Sequence, residues 1–147
     1  MLVCSPGGHL AQLERLLVAF DGHELSLVTY HSPRDPQPIS SVSKTYLVPY
    51  IGTNPIRLLR AMPTFLSALY KQRPQALVST GSEIAIVFFF LAKLVGMRTL
   101  YIESLSRVRS RSGTGRIVYY LADRFFVQWE PLLDQYGRKA EFRGRVV

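Results

Sequence analysis

The stretch QALVSTGSEIAIVFFFLAKLVGMRTLYIES, residues 75–104, contains a short apolar run, a turn centred on glycine, a long apolar segment and a second short apolar run. Runs of these lengths predict two buried strands, over 75–80 and 98–104, joined by a helix over 82–95. A strand, a helix and a strand in this order form a crossover unit, which places the two strands parallel in one sheet. The stretch therefore predicts an α/β fold.

The rest of the chain repeats this alternation. Further strands are predicted over 1–4, 24–30, 44–50, 124–128 and 140–147, and further helices over 9–20, 54–72, 116–122 and 130–136. Asn54 and Pro55 are typical of a helix start, and Pro63 is expected to kink the helix that they begin. The proline-rich segment 31–43 predicts a loop. We therefore expect a single domain over 1–147, a Rossmann-like parallel sheet with helices on both faces and ligands at the carboxyl ends of its strands.

The charge and composition of the chain indicate which classes of molecule it can bind. The 147 residues are 48% hydrophobic and carry 18 Lys and Arg against 10 Asp and Glu, which gives a formal net charge of +8. A basic surface favours anionic partners such as acidic lipid headgroups, phosphorylated substrates or nucleic acid, or else contributes only to solubility. We do not expect nucleic acid, because the aromatic residues fall in apolar runs rather than between basic residues.

Potential metal ligands are few and scattered. Cys4 is the only cysteine, so no internal disulfide can form, and its position at the end of a strand predicts a small buried hydrophobe. The three histidines show no ligand spacing, so we expect neither a metal nor another bound cofactor. The longest apolar run, residues 84–92, is shorter than the about 20 residues of a membrane-spanning helix, so none is expected.

Two glycines and a histidine follow the first predicted strand in SPGGHL, residues 5–10. Gly7 and Gly8 permit positive φ angles and the close approach of a ligand, and the helix that follows offers free amides to an anion such as a diphosphate. His9 is placed to donate to that anion or to act as a base. The alternatives are a simple turn, because the full dinucleotide and P-loop patterns are missing, and a capping or solvated histidine.

A similar turn, STGSE over residues 79–83, follows the fourth predicted strand. Ser82 is expected to cap the next helix and Glu83 to favour its positive end, which is a sufficient structural explanation of the turn. Because the carboxyl ends of neighbouring parallel strands meet at one edge, Thr80 and Gly81 can also contribute to the same pocket as SPGGHL.

A polar and basic segment, YIESLSRVRSRSGTGR over residues 101–116, follows the fifth predicted strand. Glu103 at the strand end is suited to orient a sugar hydroxyl, to act as a base, or to pair with Arg107. The arginines of the segment are suited to bind diphosphate or lipid headgroups, or they belong to a solvated loop. They are Arg107, Arg109, Arg111 and Arg116.

The helix predicted over 82–95 is apolar on almost all sides. This favours a core helix over one whose outer face contacts lipid or a partner, since a covering helix normally keeps a polar face. Gly96 is a typical end signal.

Four stretches, in this order and spacing, resemble one family: SPGGHL, STGSEIA, YIESLSRV and TGRIVYYLADRFFVQWEPL. The family is the membrane-associated subunit of the two-part UDP-N-acetylglucosamine transferase of dolichol-linked oligosaccharide synthesis, with bacterial relatives in capsular and exopolysaccharide biosynthesis. The resemblance covers essentially the whole chain. A more distant likeness is to the N-terminal half of the transferase that completes the lipid-linked peptidoglycan precursor.

The resemblance implies the acceptor half of an inverting GT-B glycosyltransferase that is split into two chains. This half would bind a polyprenyl-diphosphate-linked sugar, while a separate partner subunit binds most of the UDP-sugar donor. The chain would be inactive or weakly active alone and would lie peripherally on the anionic, cytoplasmic face of a membrane. The alternatives are a non-catalytic membrane adaptor that recruits and activates a catalytic subunit, and a stand-alone nucleotide-binding protein.

The resemblance also assigns roles by position. His9 and Glu103 are the expected catalytic residues, and no acid is assigned to Gln12, which stands where eukaryotic members usually carry Glu. The expected contacts of the acceptor and its diphosphate are Gly7, Gly8, Thr80, Gly81, Ser82 and Arg107. The expected membrane or anion contacts are Arg109, Arg111 and Arg116. The eukaryotic N-terminal anchor has no counterpart before the first strand, so we expect basic residues and an apolar patch to attach the chain to the membrane.

Overall fold

A seven-stranded sheet, parallel throughout, organises the chain. The computed structural model describes residues 1–32, 39–52 and 54–146. The strands lie in the order β3-β2-β1-β4-β5-β6-β7, and every neighbouring pair is parallel. Their bounds are β1 Leu2–Val3, β2 Leu25–Tyr30, β3 Val42–Val48, β4 Ala76–Ser79, β5 Arg98–Ile102, β6 Arg124–Val127 and β7 Ala140–Phe142. The predicted α/β fold is confirmed, and each of the seven predicted strand segments contains a strand.

Helices cover both faces of this sheet, as predicted. They are α1 Gly8–Arg15, α2 Pro55–Gln72, α3 Glu83–Leu94, α4 Gly113–Leu121 and α5 Pro131–Tyr136, with a 3-10 helix at Leu17–Phe20. Side chains from α2 to α5 pack in the larger of two apolar cores. Side chains from α1 and the 3-10 helix pack in the smaller core, on the other face.

The start of α2 is determined by two neighbouring residues, Asn54 and Pro55. Asn54 Oδ1 accepts hydrogen bonds from the amides of Ile56, at 2.9 Å, and Arg57, at 3.3 Å, while Pro55 occupies the first helical position. Both residues act as the sequence predicted. The helix continues through Pro63 to its predicted end.

The start of α4 differs from the prediction. The helix begins at Gly113 rather than at Arg116, because the side chain of Ser112 provides an N-cap: its Oγ accepts from the amide of Gly115 at 2.8 Å. Arg116 therefore lies within the helix and is not its first residue.

The start of β3 also differs from the prediction. The strand begins at Val42 rather than at Lys44, since Val42 pairs with Leu25 before a bulge shifts the register. Part of the predicted loop, residues 33–38, lies outside the described residues.

The apolar helix α3 belongs to the core on its inner side. Six of its side chains are buried, including Phe88 and Phe89 at 0% exposure, which confirms the prediction of a core helix. Its outer side is apolar as well, because Phe90 and Leu94 are exposed. The helix ends before Gly96, whose φ is +69°.

Cys4 follows β1 and is fully buried, as predicted. Burial, with the charge of Glu14 as a smaller cause, raises the pKa of the Cys4 thiol to about 12. The thiol stays protonated at neutral pH and acts as an apolar side chain.

Candidate active site

The candidate site lies at the carboxyl edge of the sheet, where β1 stands between β2 and β4. The chain crosses to opposite sides of β1 at this point, which makes it the switch point at which open α/β sheets bind ligands. The loops after β1, β4 and β5 rise from this edge and carry the three candidate segments, within 5–9, 80–83 and 103–112.

Reciprocal hydrogen bonds join the first two loops. Thr80 Oγ1 donates to the carbonyl of His9 at 2.8 Å, and His9 Nδ1 lies 2.8 Å from the carbonyl of Thr80. A carbonyl only accepts, so Nδ1 carries the hydrogen and Nε2 of the neutral ring is left with an unshared pair. His9 is half-buried, and its imidazole is therefore held in one orientation with Nε2 as the available acceptor.

The imidazole of His9 packs directly against Gly81. The φ of Gly81 is +133°, and a Cβ at this position would overlap the His9 ring. A glycine is required here for both reasons. On the neighbouring loop Gly7 has a φ of +87°, and both it and Gly8 are exposed beside the start of α1.

Ser82 does not act as the predicted cap of α3. It occupies the N-cap position, but its side chain makes no bond to the helix amides, and its Oγ instead donates to Glu83 Oε2 at 2.8 Å. The reason is its backbone, which has a φ of +80°, a left-handed conformation that is strained for a serine.

Glu103 lies inside the protein rather than on an open cleft. It is 0% exposed, and four donors converge on its carboxylate. Oε1 accepts from the amide of Ser104 at 2.8 Å; Oε2 accepts from the amide of Ser112 at 3.2 Å, from its hydroxyl at 3.0 Å, and from the hydroxyl of Tyr136. Glu103 thereby links the end of β5 to the start of α4 and to the end of α5.

The surroundings of this carboxylate are tightly packed. A Cβ on Gly115 would overlap Glu103 Oε2 and the Tyr136 hydroxyl. Burial, followed by the hydrogen bond to Glu103, raises the pKa of Tyr136 above its usual range. Burial and then the charge of Glu103 likewise raise the pKa of Tyr101.

The option that Glu103 pairs with Arg107 is not realised. The ion pairs of the described residues are Lys93–Asp123, Arg124–Glu141 and Arg143–Glu141. Arg107 and Arg109 are exposed at the same edge, while the Arg111 guanidinium lies over the Tyr136 ring, 5.8 Å from its centroid. The charges of Arg107 and Arg109 therefore face solvent instead of neutralising the buried acid.

Polar side chains for which the sequence predicted no role hold the loop after β5. Gln12 Oε1 accepts from the amide of Leu105 and from Gln128 Nε2, both at 3.0 Å. Gln128 Nε2 also donates to the carbonyl of Glu103 at 2.8 Å, and Trp129 Nε1 donates to the carbonyl of Leu105 at 2.7 Å. The sequence signals for this role are Gln12, at a position where eukaryotic family members usually carry Glu, and the adjacent Gln and Trp of the FFVQW stretch.

Helices α2, α3 and α4 carry exposed apolar side chains, which are together named here the α2–α4 face. Its members are Ile56, Leu59, Phe90, Ile117 and Tyr120. A groove of about 520 Å³ on this face is lined almost entirely by carbon, with Arg116 among its lining residues. Every helix in the described part of the chain is too short or too polar to cross a membrane.

Two other grooves, of about 470 and 650 Å³, open at the amino ends of the strands. Glu24 and Gln72 line the first, Thr99 and Asp123 the second. Ligands of open parallel sheets bind at the opposite edge, so the loops around His9 are the stronger candidate.

Comparison with known proteins agrees with the sequence motifs. The family described as "Oligosaccharide biosynthesis protein Alg14 like" matches residues 41–146. The chain belongs to the Alg14 family. It is 27% identical to UDP-N-acetylglucosamine transferase subunit ALG14 of Candida albicans, over 99% of this chain and 77% of that protein. The ALG14 subunit of Debaryomyces hansenii is 28% identical, over 100% of this chain and 75% of that protein. The human ALG14 subunit is also 28% identical, over 60% of this chain and 44% of that protein. The predicted family is confirmed.

The fold of this Alg14-family chain has a solved counterpart. A crystal structure of MurG from Acinetobacter baumannii superposes with a TM-score of 0.76 at 14% identity. The match covers 96% of this chain and 44% of the MurG chain. It confirms the predicted GT-B-type, Rossmann-like fold.

Proposed function

We propose that this Alg14-family chain is the acceptor-binding subunit of a split, inverting glycosyltransferase. The enzyme transfers a sugar from a UDP-sugar to a polyprenyl-diphosphate-linked acceptor. The relatives are named as subunits of a UDP-N-acetylglucosamine transferase, so the chain is a transferase subunit and N-acetylglucosamine is the first sugar to test. The observation that carries the proposal is the imidazole of His9, fixed by Thr80 at the switch point with Nε2 available.

The acceptor diphosphate binds on the loop before α1. Gly7 and Gly8 are exposed there, and the first amides of the helix have no partners within it, so they attract an anion. Arg107 is exposed at the same edge and adds a positive charge. Thr80, Gly81 and the backbone at Ser82 form the second wall of this acceptor site.

His9 is the proposed base. The acceptor hydroxyl oxygen attacks the anomeric carbon of the donor, and the bond from that carbon to the UDP oxygen breaks, with its electron pair leaving on UDP. The hydroxyl proton passes to His9 Nε2. The partner subunit, which binds most of the UDP-sugar, stabilises the charge on the departing UDP.

Glu103 has a different proposed role from the one that the family resemblance implied. Its carboxylate is fully buried and already accepts from four donors, so it is poorly suited to take a proton from a bound hydroxyl. We assign it as a positioning residue that fixes the loop carrying Arg107.

A membrane surface is the proposed location of the acceptor. The α2–α4 face offers exposed apolar side chains, and Arg57, Arg60 and Arg116 are exposed on the same helices. This combination suits peripheral binding to an anionic surface, with the cytoplasmic face as the expected side. Arg109 and Arg111 stay predicted anion contacts. Capsular or extracellular polysaccharide as the product stays a prediction.

The first experiment is a transfer assay from radiolabelled UDP-sugars into a membrane lipid fraction. The chain, its candidate donor-binding partner, and both together are assayed. Activity that requires both chains, and that falls about 100-fold or more in His9→Ala, is the expected result. Full activity of the partner alone would contradict the proposal.

A non-catalytic adaptor is the competing function, and the burial of Glu103 favours it because one candidate acid is removed from the chemistry. An adaptor would stimulate its partner equally well as wild type and as His9→Ala. The kcat of the assembled pair therefore separates the two functions.

A further inference from the structure

Two buried polar atoms at the carboxyl edge have no hydrogen-bond partner among the described residues. One is the hydroxyl of Tyr30, the last residue of β2, whose side chain is 2% exposed. The other is Oε1 of Glu83, the first residue of α3. Buried polar groups are normally paired, so an unpaired donor and an unpaired acceptor at a ligand-binding edge call for an explanation.

The two groups lie near one another. Burial, then the charge of Glu83 and the direct approach of its carboxylate to the phenol, raise the pKa of Tyr30 above its usual range. The phenol and the carboxylate therefore lie close together, but they fall outside hydrogen-bond geometry. The other oxygen of Glu83 is already used, because Oε2 accepts from Ser82 Oγ at 2.8 Å. One donor, the phenol, and one acceptor, Oε1, therefore remain.

The surroundings of this pair suit a sugar. Glu83 comes two residues after Gly81, which contacts the His9 ring. On the other side the ring of Tyr50 packs edge-on against Tyr30, with centroids 5.1 Å apart and planes at 77°. Tyr50 is 58% exposed and offers an aromatic surface to a ligand.

We propose that Tyr30 and Glu83 form a subsite for the sugar ring of the acceptor, with Tyr50 against that ring; the subsite rests on the proposed acceptor function. A sugar hydroxyl both donates and accepts, so one hydroxyl satisfies Glu83 Oε1 and the Tyr30 phenol together. Because both polar atoms are buried, access of a sugar to the pair requires the exposed Tyr50 ring to turn away.

The charge of Glu83 also orients the acceptor. A diphosphate offers only acceptor oxygens and is repelled by a carboxylate, so it does not bind at this subsite. It binds instead beside Gly7 and Gly8, where amides and Arg107 attract it. The acceptor therefore binds with its diphosphate at the loop after β1 and its sugar at the start of α3.

The test measures binding without turnover. The chain assembled with its partner, in the absence of UDP-sugar, is titrated with a C15 prenyl diphosphate and with the same lipid carrying N-acetylglucosamine or glucose. The ratio of the Kd for the bare lipid to that for a sugar-linked lipid measures the sugar contact. We expect Tyr30→Phe and Glu83→Gln each to lower this ratio about tenfold without changing the Kd for the bare lipid.

Tyr101→Phe is the matched control, because Tyr101 is another fully buried strand tyrosine whose hydroxyl has no partner among the described residues. It should leave the ratio unchanged. Unchanged ratios in Tyr30→Phe and Glu83→Gln, or sugar-linked lipids that bind no better than the bare lipid, would overturn the subsite and leave the acceptor function standing. No binding of any probe to the assembled pair would contradict the acceptor function, and the subsite with it.

Discussion

At the scale of single residues, the orientation of His9 depends on the backbone of another loop. The carbonyl of Thr80 fixes Nδ1, and the absence of a side chain at Gly81 makes room for the ring. The sequence showed that both turns follow strands and that they would meet at one edge. It could not show which ring nitrogen is used, because that depends on a contact between residues 71 positions apart.

Substitution of Gly81 tests this dependence. Gly81→Ala places a methyl group on the His9 ring, so we expect transfer by the assembled pair to fall at least tenfold, together with a loss of stability of about 1–3 kcal/mol from the left-handed backbone. The control is Gly96→Ala, which has a positive φ but no atom within 4 Å of the added Cβ. It should lose stability with kcat unchanged. Equal kcat values in the two variants would show that the His9 contact is irrelevant to transfer.

The raised pKa of Cys4 predicts a pH dependence of labelling. With a pKa of about 12 in the folded state, the thiolate fraction at pH 8.5 is about one in 3,000, against about half in the unfolded chain. Iodoacetamide should therefore label Cys4 about a thousandfold faster in urea than in buffer, as followed by mass spectrometry. Burial of the neutral thiol contributes its full stability below pH about 8.5 and loses it as the pH rises towards 12. Rapid labelling of the folded chain would contradict this.

At the scale of elements, the strands and helices were predictable because each is a short apolar run or an amphipathic segment with its own stop signals. The start of α4 was not, since Ser112 is one of several serines in a polar stretch and becomes a cap through its bond to Glu103. Nor was the burial of Glu103, which relies on Tyr136 on a distant helix. Both features depend on hydrogen bonds between residues distant in the sequence, which local sequence patterns do not indicate.

Ser112→Ala should therefore lower the free energy of unfolding by more than the loss of an ordinary helix N-cap does. It removes the acceptor of the Gly115 amide and one donor of the buried Glu103 carboxylate, so we expect a loss of about 2–3 kcal/mol in the free energy of unfolding. Urea denaturation measures it, with the exposed Ser110→Ala as control, where a change near zero is expected. A loss below about 0.5 kcal/mol in Ser112→Ala would show that the carboxylate does not need this donor.

At the scale of the whole molecule, the two faces of the sheet are covered unequally. Four helices pack on one face, while α1 and the 3-10 helix pack on the other. The outer surface of the thicker layer carries the α2–α4 face, whose side chains the sequence placed on helices without indicating which would be exposed. Arg57, Arg60 and Arg116 are exposed on the helices of this layer, so we expect this layer to meet an anionic membrane.

Vesicle binding tests that orientation. The double variant Ile117→Ser, Tyr120→Ser removes two exposed apolar side chains, so binding to vesicles rich in phosphatidylglycerol should weaken about tenfold or more in flotation assays. Val18→Ser is the control, because Val18 is 82% exposed on the opposite layer. Added salt should weaken binding of all three proteins. Equal binding of the double variant and the control would place the membrane contact elsewhere.

The carboxylate of Glu103 also supplies a search pattern for related chains. Its partners fix a spacing: a glutamate, a serine nine positions later, a glycine three positions further, and a tyrosine twenty-one positions beyond that. The glycine is needed because the other three side chains leave no space beside it. Chains that share this spacing should share the loop even where overall similarity is faint, and a natural chain that replaces the glutamate should replace the serine and the tyrosine as well.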